Sequence, residues 1–398
     1  MNKGNSLHDQ EKRVCILGMP ERCIDIPFRS TEDLLKDVGA NTGNLAFHNA
    51  IIGHIANKKG YYHSIRSVER IKEEFDILVL PAANHLSEKV DLGWLVPLLE
   101  RSKLPLVILG LGAQAPSSKH EVNVPAGTRR LLDLLGEQSS TICVRGEFTK
   151  YVLERLGYSN TAVTGCPSNF LNPRRDLGRL VEDRYKALVN VRRLALNLEY
   201  FSTDRDRVPT MMQWLNKRRG ALVLQSSTEL FSMIRGDCED VKPGFIKWAA
   251  KFFFGNEYAG DFVQFLRSNG RVFFELGSWM DYLRTFDLSV GTRLHGNMLA
   301  FQIGTPAIFF PHDSRTEELC EVMRLPTVPL SKIEPGISLK AILDFAADFS
   351  GSEYDHNRAI LAARYVGVLE QAGIKVTTDI RDLAFPRSEA AEPAQAQG

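Results

Sequence analysis

The sequence has no C-x-x-C pair; its six cysteines, Cys15, Cys23, Cys143, Cys166, Cys238 and Cys320, are scattered over 398 residues. That usage fits reduced cytosolic thiols and argues against a disulfide framework or a zinc site. No excess of one charge is present either. The formal net charge is +1, which supplies no broad electrostatic footprint for nucleic acid. An anionic ligand must therefore be held by a local cluster. The amino terminus lacks the apolar core of a signal peptide. The most apolar run, 104–111, falls well short of the roughly 20 residues of a spanning helix. A soluble, cytoplasmic protein is expected, with peripheral contact at the inner face of a membrane left open. There is no G-x-x-x-x-G-K-[ST] loop, no H-E-x-x-H and no G-x-S-x-G, and nothing points to a metal.

What is present is an alternation of short apolar runs with helical periods. Strand-like runs occur at 14–18, 76–81, 106–112, 141–145 and 161–166. A second series lies at 194–198, 221–225, 271–274, 287–290 and 307–310. Amphipathic segments such as 127–135, 149–156, 260–268 and 316–323 fall between them. Continuous apolar strands alternating with helices imply parallel sheets covered on both faces. Ten strands are too many for one small sheet, and Asn172-Pro173-Arg174-Arg175-Asp176 breaks the pattern. The α/β class with two Rossmann-like lobes follows, over 13–175 and 176–385. Residues 1–12 and the Ala/Glu/Pro/Gln tail 386–398 are expected to be disordered. In 245–254 (FIKWAAKFFF), Phe245, Trp248 and Phe252 share a helical face between Lys247 and Lys251, the pattern of a core helix or of an interfacial one.

Ligands of open parallel sheets bind beyond the carboxyl ends of the strands. The richest such loop is Gly291-Thr292-Arg293-Leu294-His295, after the strand 287–290 and before a helix expected over 297–303. The next strand ends in Pro311-His312-Asp313-Ser314-Arg315. Arg293, His295 and Arg315 thus lie in neighbouring strand-end loops. A guanidinium fork matches phosphate or carboxylate, and imidazole exchanges protons near neutrality. The alternative is that Arg293 caps backbone carbonyls and His295 packs within the lobe. In the first lobe the candidates are Asn41, Gly43 and Asn44 before a helical period, Gln114 in the loop Gly110-Leu111-Gly112-Ala113-Gln114, and Arg145 at a strand end. That glycine loop lacks the third glycine of a dinucleotide fingerprint. Cys166, with no base visible beside it, reads as a buried thiol at a turn.

Three segments carry a family resemblance. DLSVGTRLHGNMLAFQIGTP (287–306), VRGEFTKYVLERLGYSNTAVTGCPSNFL (144–171) and NTGNLA (41–46) resemble, in the same order, motifs of polysaccharide pyruvyl transferases. The resemblance spans roughly 40–330. It implies a fold similar to the two-lobed GT-B glycosyltransferases. It also implies transfer of the enolpyruvyl unit of phosphoenolpyruvate to two hydroxyls of a saccharide, giving a cyclic ketal in exopolysaccharide or cell-surface glycan synthesis. Phosphoenolpyruvate would be a co-substrate, and no cofactor is expected. The donor would lie against Gly291, Arg293, His295 and Arg315, with Arg293 binding it and His295 as the acid. The acceptor would face Asn41, Gly43, Asn44, Gln114 and Arg145. Asp287 and Asp313 are candidate bases by placement alone. Lipid linkage of the acceptor and oligomeric state stay open. Many members carry an aspartate where this chain has Asn44, and an acidic residue where it has Gly146. A nucleotide-sugar glycosyltransferase or epimerase, or a non-catalytic sugar-binding protein, are the alternatives on the same fold.

Overall fold

The computed structural model describes residues 11–62, 67–115, 122–138, 140–198, 205–237, 239, 241–255 and 259–386. The expected disorder at 1–12 and 386–398 falls almost wholly outside that set. Six parallel strands form the first sheet: β1 (Val14–Leu17), β2 (Lys59–Tyr62), β3 (Ile77–Pro81), β4 (Leu106–Leu111), β5 (Ile142–Val144) and β6 (Thr161–Val163), in the order β2-β1-β3-β4-β5-β6. Every residue of β1, β3, β4 and β5 is buried, as strands sandwiched between helices must be. The second sheet holds β7 (Arg193–Asn197), β8 (Arg219–Val223), β9 (Gly270–Arg271), β10 (Leu288–Gly291) and β11 (Ala307–Phe309), in the order β11-β10-β7-β8-β9. It too is parallel throughout. The protein is thus an α/β chain with two Rossmann-like lobes. The strand absent from the sequence reading, β2, is a half-buried edge strand of sequence KGYY, too short and polar to stand out.

The last helices of the 176–385 segment return to the first sheet's side of the molecule. The helix Gly351–Gln371 crosses back and packs on the helix Leu177–Lys186, where Gly178 and Gly351 let the backbones meet: a Cβ on Gly178 would sit 2.3 Å from the Gly351 carbonyl oxygen. Fully buried Arg358 on this helix donates to the carbonyls of Asn169 (2.7 Å), Arg174 (2.8 Å) and Asn172, tying down the segment that joins the lobes. The chain then closes on the first lobe, with Lys375 N–H donating to Asn57 Oδ1 (2.7 Å) and Thr377 N–H to the His54 carbonyl (2.9 Å). These contacts join residues about 320 apart in sequence, so no local pattern announces them.

The aromatic helix Pro243–Phe254 buries Ala249, Ala250, Phe252 and Phe253 in the second lobe's core, while Trp248 stays 39% exposed. The three rings on the expected face form a ladder, Phe245 to Trp248 at 5.6 Å and Trp248 to Phe252 at 5.5 Å. The helix is therefore a packing element with one aromatic step at the surface. No helix among the described residues is long and apolar enough to cross a membrane.

Candidate active site

In the second sheet the strand order reverses around β7, with β8 on one side and β10 on the other. Such a switch point opens a crevice at the carboxyl ends of the strands. Gly291 ends β10 there with φ +144°, and a Cβ on it would lie 1.9 Å from the Asn197 carbonyl oxygen. Its own carbonyl accepts from Phe310 N–H (3.0 Å) and Asn297 Nδ2 (2.9 Å). Beneath it, Asn197 Nδ2 donates to Ser289 Oγ (3.0 Å) and Asn297 Oδ1 (2.9 Å). This buried amide floor anchors the loop that follows. Gly291 itself belongs to that floor rather than to the lining of the pocket.

Arg293 is the N-cap of a helix that starts at Leu294, three residues earlier than expected, so His295 sits in its first turn. Arg293 donates to Ser226 Oγ at 2.5 Å. From the next strand end, Asp313 caps the helix Ser314–Val322 by accepting from Thr316 N–H (2.9 Å), and it holds Arg315 at 2.6 Å. Burial works to raise the Asp313 carboxyl, but Arg315 and His312 outweigh it and keep it below its ordinary value.

The first lobe supplies the opposite wall. Arg145, at the end of β5, is 3% exposed; its Nε donates to the Gly110 carbonyl at 2.8 Å and its guanidinium lies 5.8 Å from the Phe47 ring centre. Gly112 makes room for it, since a Cβ there would meet Arg145 Cδ at 2.8 Å. The turn 41–44 reaches across the cleft, with Thr42 N–H donating to the Gln225 carbonyl at 2.9 Å. A Cβ on Gly43 would lie 2.4 Å from Gln225 Oε1 and 3.3 Å from His295 Cβ, so the glycine permits this contact between lobes.

A pocket of about 480 Å³, counting its open mouth, results between the lobes. Asn41, Asn44, Arg145, Arg293, His295 and Arg315 all line it. Gln114 does not; it is exposed and hydrogen-bonded at 2.5 Å to Asn84, which does. Sequence reasoning missed Asn84, Gln225 and His312, all of which follow strands and were open to the rule that selected Arg293. No carboxylate is among the lining residues described. Asp287, a candidate base, lies at the other end of β10, where its carboxylate accepts from the N–H groups of Arg192 (2.8 Å) and Arg193 (2.9 Å). It is a strand anchor remote from the cleft. Asp313 is engaged as helix cap and Arg315 partner.

Burial, and then the charges of Arg145, Arg315 and Arg293, push His295 down to about 3, so the imidazole of the free protein is neutral at pH 7. Cys166 does have a base beside it: His295 Nε2 lies 3.5 Å from its Sγ. This pairing was invisible in sequence, because the two residues are 129 positions apart.

Gly146 has a spatial explanation. A Cβ there would lie 2.7 Å from Glu318 Oε2, and that carboxylate accepts from Thr149 N–H (3.0 Å) and Thr149 Oγ1 (2.6 Å). An acidic group thus adjoins Arg145 from another part of the chain. Burial pushes Glu318 up to about 7, from an ordinary value of 4.5. The folded protein then holds this proton more tightly than the unfolded chain. The resulting stability is full below pH 4.5 and is lost as pH rises through about 7. Relative to Glu318→Gln, wild-type stability is expected to fall by on the order of 2–3 kcal/mol between pH 4.5 and about 8, read by denaturant unfolding at each pH. Parallel pH profiles of the two proteins would assign the carboxylate an ordinary pKa.

Among solved structures, the chain is similar to UDP-N-acetylglucosamine 2-epimerase from Rickettsia bellii (10% identity, 91% of this chain and 96% of that one, TM-score 0.44). It is also similar to a putative UDP-N-acetylglucosamine 2-epimerase from Listeria monocytogenes (12% identity, 90% and 97%, TM-score 0.44) and to MurG from Acinetobacter baumannii (8% identity, 90% and 99%, TM-score 0.35). No curated protein sequence matches it. The family model for polysaccharide pyruvyl transferase matches residues 30–314, which takes in both walls of the cleft and ends one residue before Arg315. The chain belongs to the polysaccharide pyruvyl transferase family.

Proposed function

We propose that this protein transfers the pyruvyl unit of phosphoenolpyruvate to two hydroxyls of a saccharide, forming a cyclic ketal. The observation that carries this reading is the convergence of Arg145, Arg293 and Arg315 on His295 in a pocket with no lining carboxylate among the described residues. The donor brings one carboxylate charge and a phosphate of about −1.5 to −2 at pH 7. Three guanidinium groups offer charge-assisted, planar contacts to both.

The chemistry then follows from charge. Burial and the three arginines hold the imidazole neutral in the free protein; bound donor offsets the arginines, and the ring gains affinity for a proton. The imidazolium of His295 protonates the methylene carbon, and the adjoining carbon becomes an oxocarbenium centre that the first sugar hydroxyl attacks. His295, now neutral, accepts that hydroxyl's proton. The second hydroxyl closes the ketal as the carbon–oxygen bond to phosphate breaks, and the departing phosphate takes the second proton. Two C–O bonds form, one breaks and one proton is gained at carbon. The amide side chains of Asn41, Asn44 and Asn84, with one face toward the cleft, suit an acceptor rich in hydroxyls.

Thermal unfolding with and without phosphoenolpyruvate tests the reading. A donor at a hundredfold its Kd stabilises the native state by about 2.7 kcal/mol. That gain is expected for wild type and is expected to vanish in Arg293→Ala. A gain from uridine diphosphate sugars, with none from phosphoenolpyruvate, would overturn it.

A further inference from the structure

Beside His295 lies a short buried polar chain. Ser168 Oγ donates to Cys166 Sγ at 3.1 Å, and Cys166 Sγ lies 3.5 Å from His295 Nε2. Cys166 and Ser168 are both fully buried, so no solvent competes for these hydrogens. They belong to the turn after β6 in the first lobe, whereas His295 belongs to the second.

We propose that Ser168 and Cys166 are positioning residues that hold neutral His295 as the tautomer protonated on Nδ1. The direction follows from counting hydrogens. Sulfur has two hydrogen-bond partners among the described residues, and it accepts from the Ser168 hydroxyl. Its own hydrogen needs an acceptor, and an unprotonated Nε2 is one. In the opposite tautomer Nε2–H would donate to sulfur as well, leaving sulfur with two incoming hydrogens and its own unpaired in a buried site. An unmade buried hydrogen bond costs more than a made one contributes, though thiols are weak donors. A neutral ring is what burial imposes, and the neighbouring cations Arg145, Arg315 and Arg293 act the same way.

The consequence for catalysis rests on the pyruvyl-transfer reading. When donor binds, the ring takes its second proton at Nε2 and the Cys166 S–H turns away. Nδ1, the nitrogen not facing the thiol, then delivers its proton, and the ring is left neutral on Nε2 until it regains the hydroxyl's proton at Nδ1. The tautomer itself does not depend on that reading. It fixes the ring as the partner of a catalytic histidine commonly does, through the nitrogen that passes no proton to the substrate.

The test is the long-range ¹H–¹⁵N spectrum of histidine-labelled full-length protein at neutral pH, with His295 assigned from the signal lost in His295→Gln. Nδ1 is expected at a protonated position and Nε2 at an unprotonated one. The reverse pattern in wild type overturns the proposal whatever the substrate is. Cys166→Ala is expected to mix the two tautomers, and Cys166→Ser, which restores a donor, to recover Nδ1–H; a spectrum indifferent to Cys166→Ala also overturns it. In turnover with phosphoenolpyruvate, Cys166→Ala is expected to lower kcat several-fold with KM for the donor little changed, again recovered in Cys166→Ser. A chain inactive with phosphoenolpyruvate would sink the function proposed above and leave the tautomer result standing.

Discussion

His295→Gln is expected to lower kcat by about 10²–10⁴, the usual contribution of a positioned general acid, while stabilisation by phosphoenolpyruvate persists. Glutamine retains polar contact and roughly the bulk of imidazole but transfers no proton. Arg145, Arg293 and Arg315 remain in place around the pocket, so the donor keeps its charge partners. Removing the proposed acid alone therefore separates binding from chemistry, and the loss should appear in kcat rather than in donor KM. Single-turnover kinetics with saturating donor, beside a thermal-shift titration, make the measurement. Turnover within a few-fold of wild type would show that another group protonates the methylene carbon. Loss of donor-induced stabilisation would instead show that His295 chiefly holds the donor.

The largest effect on folding is expected from Gly291→Ala. The residue has φ +144°, a conformation that L side chains rarely adopt, and the new methyl would lie 1.9 Å from a backbone oxygen of β7. No side-chain rotation relieves that clash, because the obstacle is the neighbouring strand. Relief requires β10 and β7 to part, which breaks the ladder from Leu288 to Gly291 and the amide floor of Asn197, Ser289 and Asn297. A penalty above about 4 kcal/mol belongs to the extreme class of substitutions, a large part of the roughly 5–15 kcal/mol that holds a domain folded. Insoluble expression, or a denaturant midpoint far below wild type, is the expected outcome. A well-folded variant would mean that the strand end shifts easily, and that Gly291 is retained for access to the cleft instead.

Part of this arrangement was legible in local sequence. The apolar runs of β1, β3, β4, β7, β8, β10 and β11 were legible because a buried parallel strand is continuous in sequence. The rule that ligands gather at carboxyl strand ends then selected Arg293, His295, Arg315 and Arg145, and all four line the pocket. The same rule, applied evenly, reaches Gln225 and Asn84. Asp287 misled because it adjoins the same strand, yet it lies at the amino end and works as an anchor there. Gly291 and Gly43 were read as ligand contacts, although their lack of a side chain serves backbone approach beneath and across the cleft.

By itself, the sequence determined the α/β class, the existence of two lobes, the family and the chemical types at the strand ends, because each depends on residues a few positions apart. Tertiary structure decided what faces what. Only lobe docking sets Cys166 beside His295 and lets Glu318 fill the space that Gly146 leaves. Only the return of the helix Gly351–Gln371 brings Arg358 onto the linker carbonyls. The physical reason is the same in each case. Periodicity and capping report the free energy of local segments, whereas the charge state of His295 is set by burial between the lobes and then by three arginines that the chain supplies from both.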